Sequence, residues 1–377
     1  MRRDGGQCTF HPFPEPAGRV RVAGAGYVSR TLRVRRHPRW TADAALFPDQ
    51  SVTTTSAPAD RRTVLTRAVL AVIGILAFVL FSFVLAGFLS VDNMITLLNE
   101  VALAGIVAVP ATFLMMSGQV DLSVGGAAAF AGVVLAASAP GLGVPAAVLL
   151  AAGSGLLIGL GNGLLVTVGR VDSIAATFAT MALLRGLAYL VPGGLVIALA
   201  GFRSAGDTGP FAGNALAALI FGAVAVIAGG LSRSAAGRRS RATGRLPVVD
   251  RFDGQRERHR VTALFVVSGV SAALVGLITA WQLGAGLPTA AVGLEVTVVS
   301  AVLLGGGRLA GGAGSVAGTL LALLVISIVG NGLALANVNP YAGPVLSAAL
   351  LIFALVIDRP HRRSGTRLAG PARTDSE

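Results

Sequence analysis

The sequence predicts an all-α polytopic membrane protein with about ten transmembrane helices and an inverted repeat, on three observations. The first is composition: of 377 residues, 54% are hydrophobic and only 12% are charged, and the mean hydropathy is +0.76. A soluble domain carries about 25% charged residues. The second is that the apolar residues gather in runs at 64–89, 94–117, 121–138, 144–168, 173–200, 212–231, 261–283, 291–306, 313–337 and 341–357. About 20 such residues span a bilayer as a helix. The third is charge segregation. Every one of the 30 Lys+Arg is Arg, with 12 in Arg2–Arg67, nine in Arg233–Arg260 and five in Arg359–Arg373. Ten crossings from an inside N-terminus put all three blocks on the cytoplasmic side, as the positive-inside rule requires.

Taken in order, residues 1–62 are Arg-, Pro- and Thr-rich without an apolar period. They read as a basic, mostly disordered cytoplasmic extension, or as translation from a start site upstream of the functional one. The transmembrane part is expected at 63–358. Its first run, Val64–Leu89, is longer than a signal-peptide core and suits a retained anchor. Pro110 kinks the second. Between the second and third lies Ser117-Gly118-Gln119-Val120-Asp121-Leu122-Ser123-Val124-Gly125-Gly126, a polar break edged by glycine. An ionisable group there is costly, and non-helical backbone at membrane depth survives only inside protein or beside a wet cavity. The break is either part of a transport path or a turn in which Asp121 caps the next helix.

Gly161-Asn162-Gly163-Leu164 closes the fourth run and Gly330-Asn331-Gly332-Leu333 sits late in the ninth. Five crossings separate them, so the second copy is inverted, an arrangement frequent in transporters with a midplane solute site. Gly155, Gly159 and Gly163, like Gly314 and Gly318, recur every fourth residue and allow close helix approach. The eighth run is barely long enough to cross. Residues 232–260 form a basic cytoplasmic loop and 359–377 a cytoplasmic tail.

Several chemistries are excluded. The four histidines lie in loops or tails, and Cys8 is the only cysteine, so neither a multi-cysteine metal site nor a disulfide within the chain is available. Without lysine there is no Walker A loop. The chain is expected to be no enzyme, to need no cofactor or metal, and to take its energy from a partner chain or an ion gradient. The formal +13 follows from topology and anionic lipid rather than nucleic acid.

Ser117–Gly125 resembles the S-G-G-I-D-L-S-V-G motif of ribose/xylose-type permease subunits of bacterial ABC sugar importers, a family that also includes branched-chain amino acid permeases. Asp172–Met181 with Arg185-Gly186, Glu295–Gly306 with Leu309–Thr319, and Asn331-Gly332-Leu333 with Pro340-Tyr341 resemble three further family motifs, in order. The resemblance covers roughly Asn93–Asp358. It implies a type II ABC importer permease fold with ten helices per subunit, in the cell membrane with both termini cytoplasmic. The implied partners are a second permease subunit, an extracytoplasmic sugar-binding protein and a cytoplasmic ABC ATPase. The 232–260 loop would hold a coupling helix, with Arg238, Arg239 and Arg241 as candidate ATPase contacts, although Gly237–Pro247 departs from the family pattern.

On this reading Gln119, Asp121 and Ser123 shape the broken helix near the path. Asn162 and Asn331 bond across helices at the repeat boundaries, Asn99 and Glu100 meet solute on the outer side, and Glu295 lies near the outer start of the eighth run. A hydroxyl-rich solute needs such groups in an apolar corridor. The alternatives are an ion-coupled carrier, an ABC permease for another solute such as branched-chain amino acids, or a homologue that no longer transports.

Overall fold

A computed structural model describes residues 61–199, 210–246, 251–252, 254–339 and 342–357. They belong to one of two units, Ala57–Glu377; the other, Met1–Ser56, lies outside the described residues. So do the expectations for the tail 359–377 and for nearly all of 1–62. The helices are α1 (Arg61–Val84), α2 (Val91–Met116), α3 (Val124–Leu142), α4 (Val144–Thr167), α5 (Ser173–Leu190), α6 (Pro210–Arg233), α7 (Ala235–Arg245), α8 (Gln255–Leu283), α9 (Leu294–Leu304), α10 (Val316–Leu335) and α11 (Ala342–Ile357). All but the Arg-rich α7 answer to the expected apolar runs. Eight are long and apolar enough to cross a membrane, whereas α9 and α11 are shorter.

Local chemistry fixes the ends. Ser90 caps α2 by accepting from the Asn93 N–H, Asp172 caps α5 by accepting from Ile174 and Ala175, and Ser315 caps α10 by accepting from Gly318. Gly284, left-handed at φ 63°, closes α8. Two expected boundaries move. The run 173–200 stops being helical at Leu190, where Pro192-Gly193-Gly194 turns the chain into β1 (Ile197–Ala198); β1 pairs antiparallel with β2 (Ala285–Gly286). Helix α8 begins six residues ahead of its apolar run, because Gln255–Arg260 are helix formers that extend it beyond the apolar stretch.

The bundle has an inner layer of α2, α3, α8 and α10, largely buried, and an outer layer of α1, α4, α5 and α6 with apolar exposed faces. Packing follows the repeat. Helix α3 packs on α4, α5 and α8, while its counterpart α9 packs on α10, α11 and α2; α4 packs on α8 as α10 packs on α2. Helices α1 and α6 depart from the pattern, α1 resting on α10 and α6 on α2.

The α4–α8 seam is a close one. A Cβ at Gly155 would lie 2.5 Å from the Ala273 Cβ and the Gly269 carbonyl, and one at Gly163 2.8 Å from Thr262. Those glycines therefore let the two backbones touch, as their four-residue spacing predicts.

Candidate functional site

The break between α2 and α3 enters the bundle as non-helical chain. Gly118 turns it at φ 76°, and the amides that follow find side-chain partners on α5: Val120 N–H donates to Ser173 Oγ (3.2 Å) and Leu122 N–H to Thr177 Oγ1 (3.0 Å). Non-helical backbone is thus satisfied inside protein, as apolar surroundings demand.

Asp121, fully enclosed, does not cap α3. Its Oδ1 accepts from the Ser123 N–H (2.9 Å) and hydroxyl (2.6 Å), and its Oδ2 from the Ser268 hydroxyl of α8 (2.7 Å). Asn162 extends the network, donating to Ser123 Oγ (2.9 Å) and accepting from Thr180 Oγ1 (2.7 Å). One carboxylate therefore ties the break to α4, α5 and α8 through neutral donors. Three donors offset part of the cost of burying the charge. Gln119 is buried at the start of the non-helical chain.

Glu295 stands at the start of the eighth run, as expected. It is the second residue of α9, and its carboxylate fills the space where Gly125, the second residue of α3, would carry a Cβ. The starts of two repeat-related helices thus meet inside the bundle, so the absent side chain at Gly125 makes room for the one at 295. Glu295 Oε2 is buried without a hydrogen-bond partner. It borders a cleft of about 500 Å³ between α5 and the start of α9, which Arg185 and Tyr189 also line. Arg185 Nη1 donates to the Pro288 (3.0 Å) and Ala290 (2.7 Å) carbonyls, bracing the chain that enters α9.

The other predicted path residues stand apart from this centre. Asn331 exchanges hydrogen bonds with Asn93 (3.0 and 3.1 Å), joining α10 to the start of α2. Asn99 pairs with Gln282 (2.8 Å), which also reaches Asn214, so three amides join α2, α8 and α6. Glu100 is exposed on α2.

At the end of the bundle that carries α7, Arg238 and Arg239 are exposed, whereas Arg241 turns inward, donating to the Ser232 carbonyl (3.0 Å) and lying 3.7 Å from Met116 Sδ. Burial, then the neighbouring Arg245 and Arg238, lower the Arg241 pKa from its ordinary value. Sequence reasoning missed Arg251. Its guanidinium donates to four carbonyls: Leu246 (3.2 Å), Gly118 (3.1 Å), Gly244 (3.2 Å) and Ala310 (2.7 Å). A single buried cation thus joins the end of α7, the break and the α9–α10 connection. Gly312 N–H adds a bond to the Met116 carbonyl (2.9 Å) across the same junction.

Residues 93–355 match the family model described as the branched-chain amino acid transport system / permease component. The chain belongs to this permease family. The probable ABC transporter permease protein YphD of Escherichia coli K12 is 37% identical over 291 residues, 76% of this chain and 87% of that protein. The ribose import permease protein RbsC of the same strain is 31% identical over 279 residues, 72% and 87% respectively. The L-arabinose ABC transporter permease protein AraH of Azospirillum brasilense is 28% identical over 333 residues, 85% and 95%. No solved structure matches the chain. As a permease component it is a multi-pass transport subunit rather than an enzyme.

Proposed function

We propose that the chain is the membrane subunit of an ABC importer for a simple sugar of the ribose or arabinose class. The observation that carries this reading is the Ser117–Ser123 break, a non-helical carboxylate-bearing segment held inside the bundle opposite the start of α9. Discontinuous helices whose ends meet inside an inverted-repeat bundle suit a midplane solute site. The names of the related permeases for ribose and arabinose support sugar as the solute.

The partners are a cytoplasmic ABC ATPase, an extracytoplasmic sugar-binding protein and a second permease subunit. The subunit sits in the cell membrane with both termini cytoplasmic. Helix α7 is the ATPase contact, with Arg238 and Arg239 presenting charge outward and Arg241 holding the helix in place. The solute path passes the break that the Asp121 network holds in shape and draws on Glu295, with Asn99 and Glu100 nearer the outer mouth.

The test is purification from native membranes in mild detergent, followed by uptake of labelled sugars by cells. Recovery of a P-loop ATPase that is lost on replacing Arg238 and Arg239 by Ala, with ATP-dependent pentose uptake, is the expected outcome. Uptake that needs no ATPase and stops when the ion gradient collapses would sink it in favour of an ion-coupled carrier.

A further inference from the structure

We propose that the cleft between α5 and the start of α9 is a water-filled subsite for a neutral polyol, in which Glu295 accepts from, and Arg185 donates to, the solute's hydroxyl groups. The inference rests on the permease reading and deepens it by moving solute contact away from Asp121.

The cleft and the Asp121 network differ in what their polar atoms have left to give. Both Asp121 oxygens are occupied, and Asn162 is engaged on both its amide nitrogen and its oxygen, so that network is closed to a guest. Glu295 lines the cleft and makes no hydrogen bond among the described residues; its Oε2 is sealed against Gly125, which leaves Oε1 to meet a guest. The hydrogen bonds of Arg185 to protein all leave from Nη1, so its remaining N–H groups are without partners among the described residues. No ion pair joins the two side chains among the described residues, although both line the cleft. A carboxylate and a guanidinium opening on a face among lipid-length apolar helices are costly unless water reaches them. An orphaned acceptor in low dielectric calls for a donor.

The chemistry narrows the solute class. Charges of opposite sign on the two walls leave a simple anion or cation with one attraction and one repulsion, whereas a polyol or a zwitterion satisfies both. The related ribose and arabinose permeases favour the polyol. Tyr189 supplies a ring for the apolar face of a sugar, and Met181 and Val292 complete an apolar wall. The volume of about 500 Å³ falls within the roughly 300–1,000 Å³ of small-molecule sites.

Cys8 is the only cysteine, so full-length Cys8→Ser protein in nanodiscs provides a clean background. A Cβ at Gly186, in the cleft wall, meets no atom within 4 Å, so Gly186→Cys fits without strain. Leu219, 72% exposed on the apolar face of α6, provides the control Leu219→Cys. A cationic methanethiosulfonate is expected to label Gly186→Cys about tenfold or more faster than Leu219→Cys, since thiolate and charged reagent both need water. Adding Glu295→Gln should slow the cationic reagent by about threefold and leave a neutral methanethiosulfonate unchanged, which also shows that the variant is folded. D-Ribose or L-arabinose should slow neutral labelling at Gly186→Cys, and Glu295→Gln should abolish that protection. Labelling no faster than at Leu219→Cys, or protection indifferent to Glu295→Gln, overturns the inference even if ATP-dependent sugar uptake holds. Protection by leucine and not by pentoses overturns the polyol class and the sugar reading together.

Discussion

Replacing Arg251 by Ala removes a side chain that joins α7 to both the break and the α9–α10 connection. Its four acceptors are backbone carbonyls at 2.7–3.2 Å. Hydrogen bonds from a charged donor contribute about 1.5–3 kcal/mol each, but these carbonyls lie at the bundle end and can take up water once exposed. About 0.75–1 kcal/mol for each of the four bonds after rehydration gives a loss of about 3–4 kcal/mol in holding α7 down. At 1.4 kcal/mol per decade, amide exchange across 235–245 should accelerate by about two orders of magnitude. Hydrogen–deuterium exchange on the full chain reads this directly, with α4 peptides as an internal reference. Arg251→Lys keeps the charge but brings three donors to a single point, so it should recover at most about half of the loss. Exchange across 235–245 that changes by less than about twofold in Arg251→Ala would refute the reasoning, because it would mean that α7 is held by contacts other than this cation.

Further outcomes follow from other contacts. Ser268→Ala deprives the enclosed Asp121 carboxylate of one charge-assisted bond and should cost about 1.5–3 kcal/mol, read as lower thermal stability of detergent-purified protein by size exclusion. Gly269→Val drives a side chain into the Gly155 carbonyl and the Gly159 backbone, and should leave little folded protein in the membrane fraction. A double-mutant cycle on Asn93→Ala and Asn331→Ala should give a coupling of about 0.6–1.7 kcal/mol, since the pair exchanges bonds only with both amides present. Arg238→Ala and Arg239→Ala, both exposed, should shift stability by less than about 0.5 kcal/mol, so any loss of ATPase retention reports contact rather than unfolding.

The helix order was legible because hydropathy runs and glycine spacing are one-dimensional signals. Gly155, Gly159 and Gly163 were read as a close-approach face, and they are the face that meets α8. The repeat was legible from two short Gly-Asn-Gly stretches, and the packing of α3 and α9 follows it. Neighbours across the bundle were not legible. Glu295 stands at the start of an apolar run, and nothing in the sequence says that α9 starts beside Gly125. Hydropathy also marks where apolar residues stop, not where hydrogen bonding stops, so the charged first turns of α8 escaped notice. Arg251 was invisible for another reason. In a chain whose basic residues are all Arg, a bracing guanidinium looks like its topological neighbours until four carbonyls are found around it.

The meeting of Gly125 and Glu295 constrains descent as well as structure. The first turns of α3 and α9 face each other there, and the space admits one side chain, not two. If the halves arose by duplication, their ancestor had to tolerate the same residue at both places, and a large group became admissible on one half only while the other stayed bare. Enlarging position 125 by mutation therefore has to displace both the Glu295 carboxylate and the Ala291 carbonyl.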